Sequence, residues 1–239
     1  MFEETFDNYG YEVTKEAMNE TISAVLRRVY TLMAGGLALT GGVAWAVYSA
    51  GWVTAIAPYF LLFFAVELLL VFILGRRIQK MNPTTATAMF LGYAALNGIT
   101  MSAIFYNYTL GSIGQTFLIT GGMFAAMSFL GFTTKTDMTK YRSFFLMGLV
   151  GFIIASLANF FLFPSNLLYW GLTYFGIALF LGLTVYNTQN IKNMTYGAMQ
   201  SGMPKDNVLK RISTWGALAL YLDFINLFIL LLRIFGSRD

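Results

Sequence analysis

The hydrophobic positions of the chain fall into seven long runs that are separated by short polar segments. The runs lie near residues 28–50, 58–78, 84–107, 112–133, 143–163, 166–190 and 214–235. At about 1.5 Å per residue, a helix of this length crosses roughly 30 Å of hydrocarbon. Strands of a membrane barrel alternate over only about 10 residues, and these runs are twice as long. The pattern therefore predicts an all-α integral membrane protein with a seven-transmembrane-helix bundle.

Composition agrees with this fold class and excludes several chemistries. Of 239 residues, 57% are hydrophobic and only 11% are charged, well below the usage of about 25% in soluble domains. The chain has no cysteine and no histidine, which excludes disulfides, thiolate nucleophiles, Ser–His proteases and a histidine pH switch. The last run has no lysine for a retinal Schiff base. We therefore expect neither an enzyme nor a bound cofactor.

The basic residues predict the orientation in the membrane. Thirteen of the 15 lysines and arginines precede the first run or lie in the loops after the second, fourth and sixth runs, and the three other loops have none. Because basic loops stay in the cytoplasm, we expect a cytoplasmic N-terminus. This one-sided distribution also explains the net charge of +4 without a nucleic acid partner. No segment resembles a cleavable signal, and we expect a bacterial inner (plasma) membrane location.

The two ends of the chain are less clearly defined by the pattern. Residues 1–24 contain six acids and one lysine, so they are predicted to form a polar cytoplasmic tail before a transmembrane domain at 25–239. A full crossing of the last run places the C-terminus outside. A re-entrant last run would instead keep Arg233 and Arg238 inside. The length of that run favours a full crossing, and the charges alone allow both.

Only two of the eleven acids lie deep inside the predicted spans, Glu67 and Asp223. Each is nine residues from the start of its span, or about 14 Å along a helix. A carboxylate at this depth costs roughly 2.5–3.5 kcal/mol on insertion scales. It is either held by hydrogen bonds for packing alone or marks the path of an ion or substrate. The second interpretation is the default for such groups.

Amide and hydroxyl side chains predict a polar seam between the sixth and seventh spans. Thr184, Asn187 and Asn190 share one helix face at three-residue spacing, and Asp223 and Asn226 share another. Amides alone would more often join helices than form a site. The presence of Asp223 favours a site.

Arg76 and Arg77 close the second span. They either extend to the interface as orientation signals or bend inward as a counter-charge to Asp223. Glu67 is nearly opposite Arg76 on the same helix, so it cannot simply neutralise this arginine. The sequence leaves both interpretations open.

Several stretches of the chain together form a recognisable signature. The most specific is LALYLDFINLFILLLRIFG in the last span. Supporting stretches are ELLLVFILGRRIQKMNP, ALNGITMSAIFYNYTLGSIGQTF, GFTTKTDMTKYRSFFLMGLVGFIIASLANFF and GLTVYNTQNIKNM. Together they resemble the transmembrane Bax inhibitor motif family, which comprises Bax inhibitor-1 and its bacterial relatives, and the resemblance covers nearly everything after residue 25.

The resemblance implies a bundle with the last helix at its centre, surrounded by the other six. It implies pH-sensitive calcium leak across membranes and, in eukaryotic members, suppression of cell death. In bacterial relatives an acid near the end of helix 6 shares a proton with the acid of the last helix, and an arginine from the end of helix 2 latches the pair. By position, Asp223 is the last-helix acid and Arg76 or Arg77 is the latch.

This chain departs from the pattern at Asn187, where relatives have aspartate. The resemblance at Asp223 and Asn187, together with the buried polar residues Asn226 and Glu67, predicts an ion path and pH sensor at these four positions. Calcium is the candidate transported ion, with Asp223 and Asn187 as its ligands. Because an amide cannot ionise, we expect weaker proton sensing and weaker calcium binding than in a di-carboxylate relative. The alternative is a non-transporting regulator that binds membrane proteins, such as a quality-control protease.

Overall fold

The computed structural model describes residues 15–78 and 80–237, and these residues form helices without any strand. We label the seven long helices α1 (Lys15–Ser49), α2 (Phe60–Arg77), α3 (Pro83–Met101), α4 (Leu110–Thr133), α5 (Arg142–Phe161), α6 (Asn166–Gln200) and α7 (Lys205–Phe235). Short helical segments lie at Val53–Ile56, Ala57–Tyr59, Ile104–Asn107 and Met138–Tyr141. Seven helices in this part of the chain are long and apolar enough to cross a membrane. The predicted fold class is confirmed.

Short polar side chains and prolines define where the helices begin. Asn82 accepts a hydrogen bond from the Thr84 N–H, and Pro83 occupies the first turn of α3, where a missing N–H is harmless. Thr109 and Ser165 cap α4 and α6 through their hydroxyl oxygens. These caps satisfy backbone donors that would otherwise be exposed at each helix start.

Helix α1 begins at Lys15, well before the predicted boundary at residue 25. Met18, Thr21 and Ile22 are buried at a spacing of three to four residues, although acids flank them in the sequence. Farther along, the Ser213 hydroxyl donates to the Val25 carbonyl of α1. Helix α1 therefore includes residues 15–24, which an apolar stripe packs into the bundle, while the division into a tail and a transmembrane domain stays a prediction. Residues 1–14 lie outside the described part of the chain.

Helix α7 lies at the centre of the bundle. It is the most buried of the seven candidate spans, and it packs against α1, α3, α4 and α6. Leu220, Leu227 and Tyr221 of α7 are completely buried. Helix α2 packs mainly on α3, and α5 mainly on α6, so these two helices form the lipid-facing periphery. The last helix is thus central as expected, with four of the other six making its main contacts.

The two ends of the bundle differ in charge. The N-terminal part of α1 and the α2–α3, α4–α5 and α6–α7 loops lie at one end, which we call the basic end. Helix α7 starts there, where Lys205 forms an ion pair of 3.2 Å with Glu20. It finishes at the opposite end, where the Thr109 N–H before α4 donates to the Ser237 carbonyl. The last helix therefore crosses the bundle completely and is not re-entrant.

Candidate functional site

The centre of the bundle contains a hydrogen-bonded pair formed by Asp223 of α7 and Asn187 of α6. The Asn187 side-chain amide donates to Asp223 Oδ2 over 2.7 Å. Asp223 is only 4% exposed, while Asn187 is partly buried. The short α6–α7 turn at Ser201–Pro204 makes the two helices antiparallel neighbours, which brings these positions together. The predicted contact between the two polar faces therefore exists at this pair.

Helix α4 packs closely on α6 in the same stretch of the helix. A Cβ atom on Gly131 would lie 2.5 Å from the Val185 carbonyl oxygen and 3.0 Å from the Thr188 Cβ. Only a glycine lets α4 approach this turn of α6 so closely. The contact fixes the position of the helix that carries Asn187.

Gln189 ties the α4–α5 loop to α6 near the same turn. Its side-chain oxygen accepts from the Met138 N–H over 2.6 Å, and its amide donates to the Thr136 carbonyl over 2.8 Å. In this loop, hydrogen bonds from the Thr139 hydroxyl and N–H lower the pKa of the exposed Asp137 carboxyl. The Asp137 carboxyl therefore stays ionised at a lower pH than an ordinary aspartate does, and it does not titrate near neutral pH.

The other members of the predicted seam do not join the pair. The Thr184 hydroxyl donates to the Phe180 carbonyl of its own helix, and the Asn226 amide donates to the Leu222 carbonyl. Asn190 lies on the same face of α6 in a partly buried position. Of the predicted seam, the structure brings together Asn187 and Asp223.

The two candidate latch arginines lie at the exposed basic end of α2. The Arg76 guanidinium is 4.0 Å from the centre of the Phe72 ring, and Arg77 is exposed. The ion pairs among the described residues are Lys205–Glu20 and Lys210–Asp206, so neither arginine pairs with Asp223 in this conformation. The latch stays a prediction.

Glu67 belongs to a second polar cluster, separate from Asp223. The Thr100 hydroxyl of α3 donates to Glu67 Oε1 over 2.8 Å, and the Asn97 side chain lies beside the same carboxyl. Glu67 is 7% exposed although α2 is otherwise the periphery of the bundle. The carboxyl thus points from a lipid-facing helix towards α3.

A hydrogen-bonded network extends this second cluster to α7 and α1. The Tyr221 hydroxyl donates to Asn97 Oδ1 over 3.2 Å and lies 2.7 Å from the Thr40 hydroxyl. The Thr40 hydroxyl also contacts the Ala94 carbonyl over 2.9 Å. Tyr221 and Asp223 are two positions apart, or about 200° around the helix. The two clusters therefore lie on nearly opposite faces of α7.

Sequence reasoning identified Glu67 but missed the network that surrounds it. Asn97 was the available signal, since it is an amide inside an apolar run. Thr40 and Tyr221 gave no such signal in the sequence, because threonine and tyrosine are common in membrane helices. Only the packing of α1 and α3 against α7 brings their hydroxyls together.

The Asp223–Asn187 pair offers a small set of hard oxygen atoms. Among the described residues, there is no group of three or more His, Cys, Asp or Glu side chains that would hold a metal ion. One carboxylate and one amide supply far fewer than the six to eight oxygens that calcium takes in a tight site. The geometry suits brief coordination of a cation better than storage.

The bundle and its buried carboxylates define a multi-pass α-helical membrane protein with two polar clusters around a central helix. Residues 22–239 match the family described as "Inhibitor of apoptosis-promoting Bax1". The chain belongs to this Bax inhibitor-1 family.

Three relatives illustrate how far the similarity extends. The "Inner membrane protein YbhL" of Escherichia coli strain K12 is 42% identical over 221 residues, which cover 91% of this chain and 93% of that protein. A protein of Deinococcus radiodurans is 38% identical over 228 residues, covering 95% and 96% of the two chains. "Uncharacterized protein RP147" of Rickettsia prowazekii is 39% identical over 241 residues, covering 97% and 98%. The similarity therefore includes the whole bundle, from the buried part of α1 onward.

Proposed function

We propose that this protein is a calcium (cation) leak channel or transporter of the Bax inhibitor-1 type, with Asp223 on the ion path. The observation that supports this most directly is the environment of Asp223. Its carboxyl is buried on the central helix and hydrogen-bonded by the neutral amide of Asn187. In the described part of the chain, no basic side chain forms an ion pair with it.

A buried carboxylate without a cationic partner attracts a cation strongly, because the surroundings screen its charge poorly. With only Asp223 and Asn187 as side-chain ligands, the ion is held weakly. Weak coordination at mid-depth favours passage, since conduction requires that an ion both bind and leave. In this proposal Asn187 provides an oxygen ligand without adding a second charge, which weakens the pH response.

Calcium uptake into liposomes that contain only the purified protein tests the proposal. The wild type should admit calcium, and Asp223→Ala should reduce the rate at least tenfold because it removes the only full charge of the pair. Asp206→Asn is the matched control, since it neutralises an exposed acid on the same helix. If the folded wild type admits no calcium, the proposal fails, and the alternative of a non-transporting regulator replaces it.

The same assay tests the latch. If Arg76 or Arg77 closes the path by pairing with Asp223, the double variant Arg76→Gln, Arg77→Gln should leak faster than wild type. Each single variant then identifies which of the two arginines acts. If the leak rate and the melting temperature are both unchanged, the two arginines do not act as a latch and only determine the orientation in the membrane.

The proposed location is the bacterial inner membrane with the basic end in the cytoplasm. The name of the Escherichia coli relative and the clustering of basic loops at one end of the bundle support it. With this orientation the C-terminal end of α7 faces outward.

A further inference from the structure

A groove opens between α1 and α4 at the basic end of the bundle. Leu26 and Tyr30 of α1 form one wall, and Phe124, Ala125 and Phe132 of α4 form much of the other. Its volume is about 430 Å³. Helices α1 and α4 pack less closely against each other than either packs against α7. The groove is therefore an apolar recess that faces the lipid along the side of the bundle.

One polar atom interrupts the apolar wall. Ser128 lines the groove and is 6% exposed, and its hydroxyl oxygen has no hydrogen-bond partner in the described part of the protein. Membrane helices usually return such a hydroxyl to their own backbone, as Thr120 and Thr133 do in the same helix, although Thr116 does not. Ser128 thus keeps an unused donor at the buried floor of the groove.

Positive charge borders the end of the groove nearest the basic loops. The Lys192 ammonium of α6 lies 5.2 Å from the centre of the Phe132 ring and donates to the Phe132 carbonyl over 3.3 Å. Arg27 is exposed and directly follows Leu26 on α1, beside the opposite wall. Ser128 is one helical turn below Phe132, or about 6 Å deeper along α4.

We propose that this groove binds an anionic phospholipid. An acyl chain lies against the aromatic wall, the Ser128 hydroxyl donates to an ester carbonyl, and Lys192 with Arg27 attracts the phosphate. The order of these groups along α4 matches the order in the lipid: charge outermost, ester about one turn deeper, hydrocarbon below. Basic pockets between membrane helices recognise anionic head groups by the same electrostatic attraction.

A second groove on α5 provides an internal comparison. It is lined by Ile154, Leu157, Ala158, Phe161 and Leu162, and its volume is about 330 Å³. Its lining contains neither a hydroxyl nor a basic side chain. Nothing there distinguishes one head group from another.

Native mass spectrometry of the delipidated full chain tests the proposal, with dioleoyl phosphatidylglycerol and dioleoyl phosphatidylcholine added at equal concentration. The wild type should retain one phosphatidylglycerol in preference to phosphatidylcholine. Lys192→Gln should reduce this preference about fivefold, because one basic residue near the membrane surface contributes on that scale. Lys140→Gln removes an exposed charge elsewhere in the basic loops and should leave the preference unchanged.

Filling the grooves provides a second, independent readout. Ala125→Phe occupies the proposed site and should abolish retention of the preferred lipid, whereas Ala158→Phe fills the comparison groove and should not. Ser128→Ala should weaken retention of both lipids, since both carry ester carbonyls. Equal retention of the two lipids by wild type would overturn the proposal. So would a folded Ala125→Phe variant that retains phosphatidylglycerol as Ala158→Phe does.

Discussion

At the residue scale, the Asn187 amide determines how much charge the central pair carries. It donates to Asp223 but cannot ionise, so the pair holds at most one negative charge. Two carboxylates in the same contact would repel each other and share a proton. With an amide at this position, Asp223 can still attract a cation. The pair cannot share a proton in the way that two carboxylates would.

Restoring the acid should steepen the pH dependence. In Asn187→Asp, two carboxylates lie within hydrogen-bonding distance and repel each other, so we expect calcium flux to change more steeply between about pH 6 and pH 8 than it does in the wild type. Calcium uptake across this pH range measures the effect. Asp223→Asn in the same series should abolish both the flux and its pH response. A wild-type transition as steep as that of Asn187→Asp would mean that a single buried acid, Asp223 or Glu67, already acts as the sensor.

At the element scale, close contact between α1 and α3 depends on Gly98. A Cβ atom there would lie 2.7 Å from the Thr40 carbonyl oxygen and 2.8 Å from the Val43 Cβ. The first of these is backbone, so α1 itself must move to make room. This contact lies beside Asn97 and Thr40, which bind Tyr221.

Overpacking at Gly98→Ala costs about 1–3 kcal/mol and alanine in a helix returns roughly 1 kcal/mol, so we expect a net loss of stability of up to about 2 kcal/mol. Gly92→Ala is the matched control in the same helix, because nothing lies within 4 Å of its added Cβ. The melting temperature in detergent should fall for Gly98→Ala and hold or rise for Gly92→Ala. Equal melting temperatures for the two variants would mean that α1 yields easily at this contact.

The sequence predicted the elements better than the contacts between them. Apolar runs located all seven spans, because burying the backbone in lipid demands uninterrupted helices. The start of α1 was missed because Met18 and Ile22 form only a narrow apolar stripe among acidic residues. The mean hydropathy of this segment is therefore low although one face of the helix is apolar. Helix periodicity put Asn187 and Asp223 on polar faces of their helices, and the family resemblance implied that the two positions pair. The Tyr221 network did not, because it depends on which faces of α1 and α3 meet α7.

At the scale of the whole molecule, the two ends of the bundle should face different compartments. The chain has no cysteine, so a single introduced thiol reports its own position. Gly111 at the start of α4 and Asp206 at the start of α7 are both exposed, and they lie at opposite ends. Gly111→Cys should react with an impermeant thiol reagent added outside intact cells, and Asp206→Cys should react only after lysis. The reverse labelling pattern would invert the proposed orientation.

The central position of α7 also has a consequence for biosynthesis. The ribosome completes α1 to α6 before α7 exists, so the helices that surround the centre enter the bilayer before the centre is made. Until then Thr40, Asn97 and Asn187 lack their partners on Tyr221 and Asp223. In a nascent chain the Asn97 and Asn187 side chains therefore face positions that only the final helix fills. A chain that stalls before residue 205 contains six spans but lacks the most buried helix of the bundle.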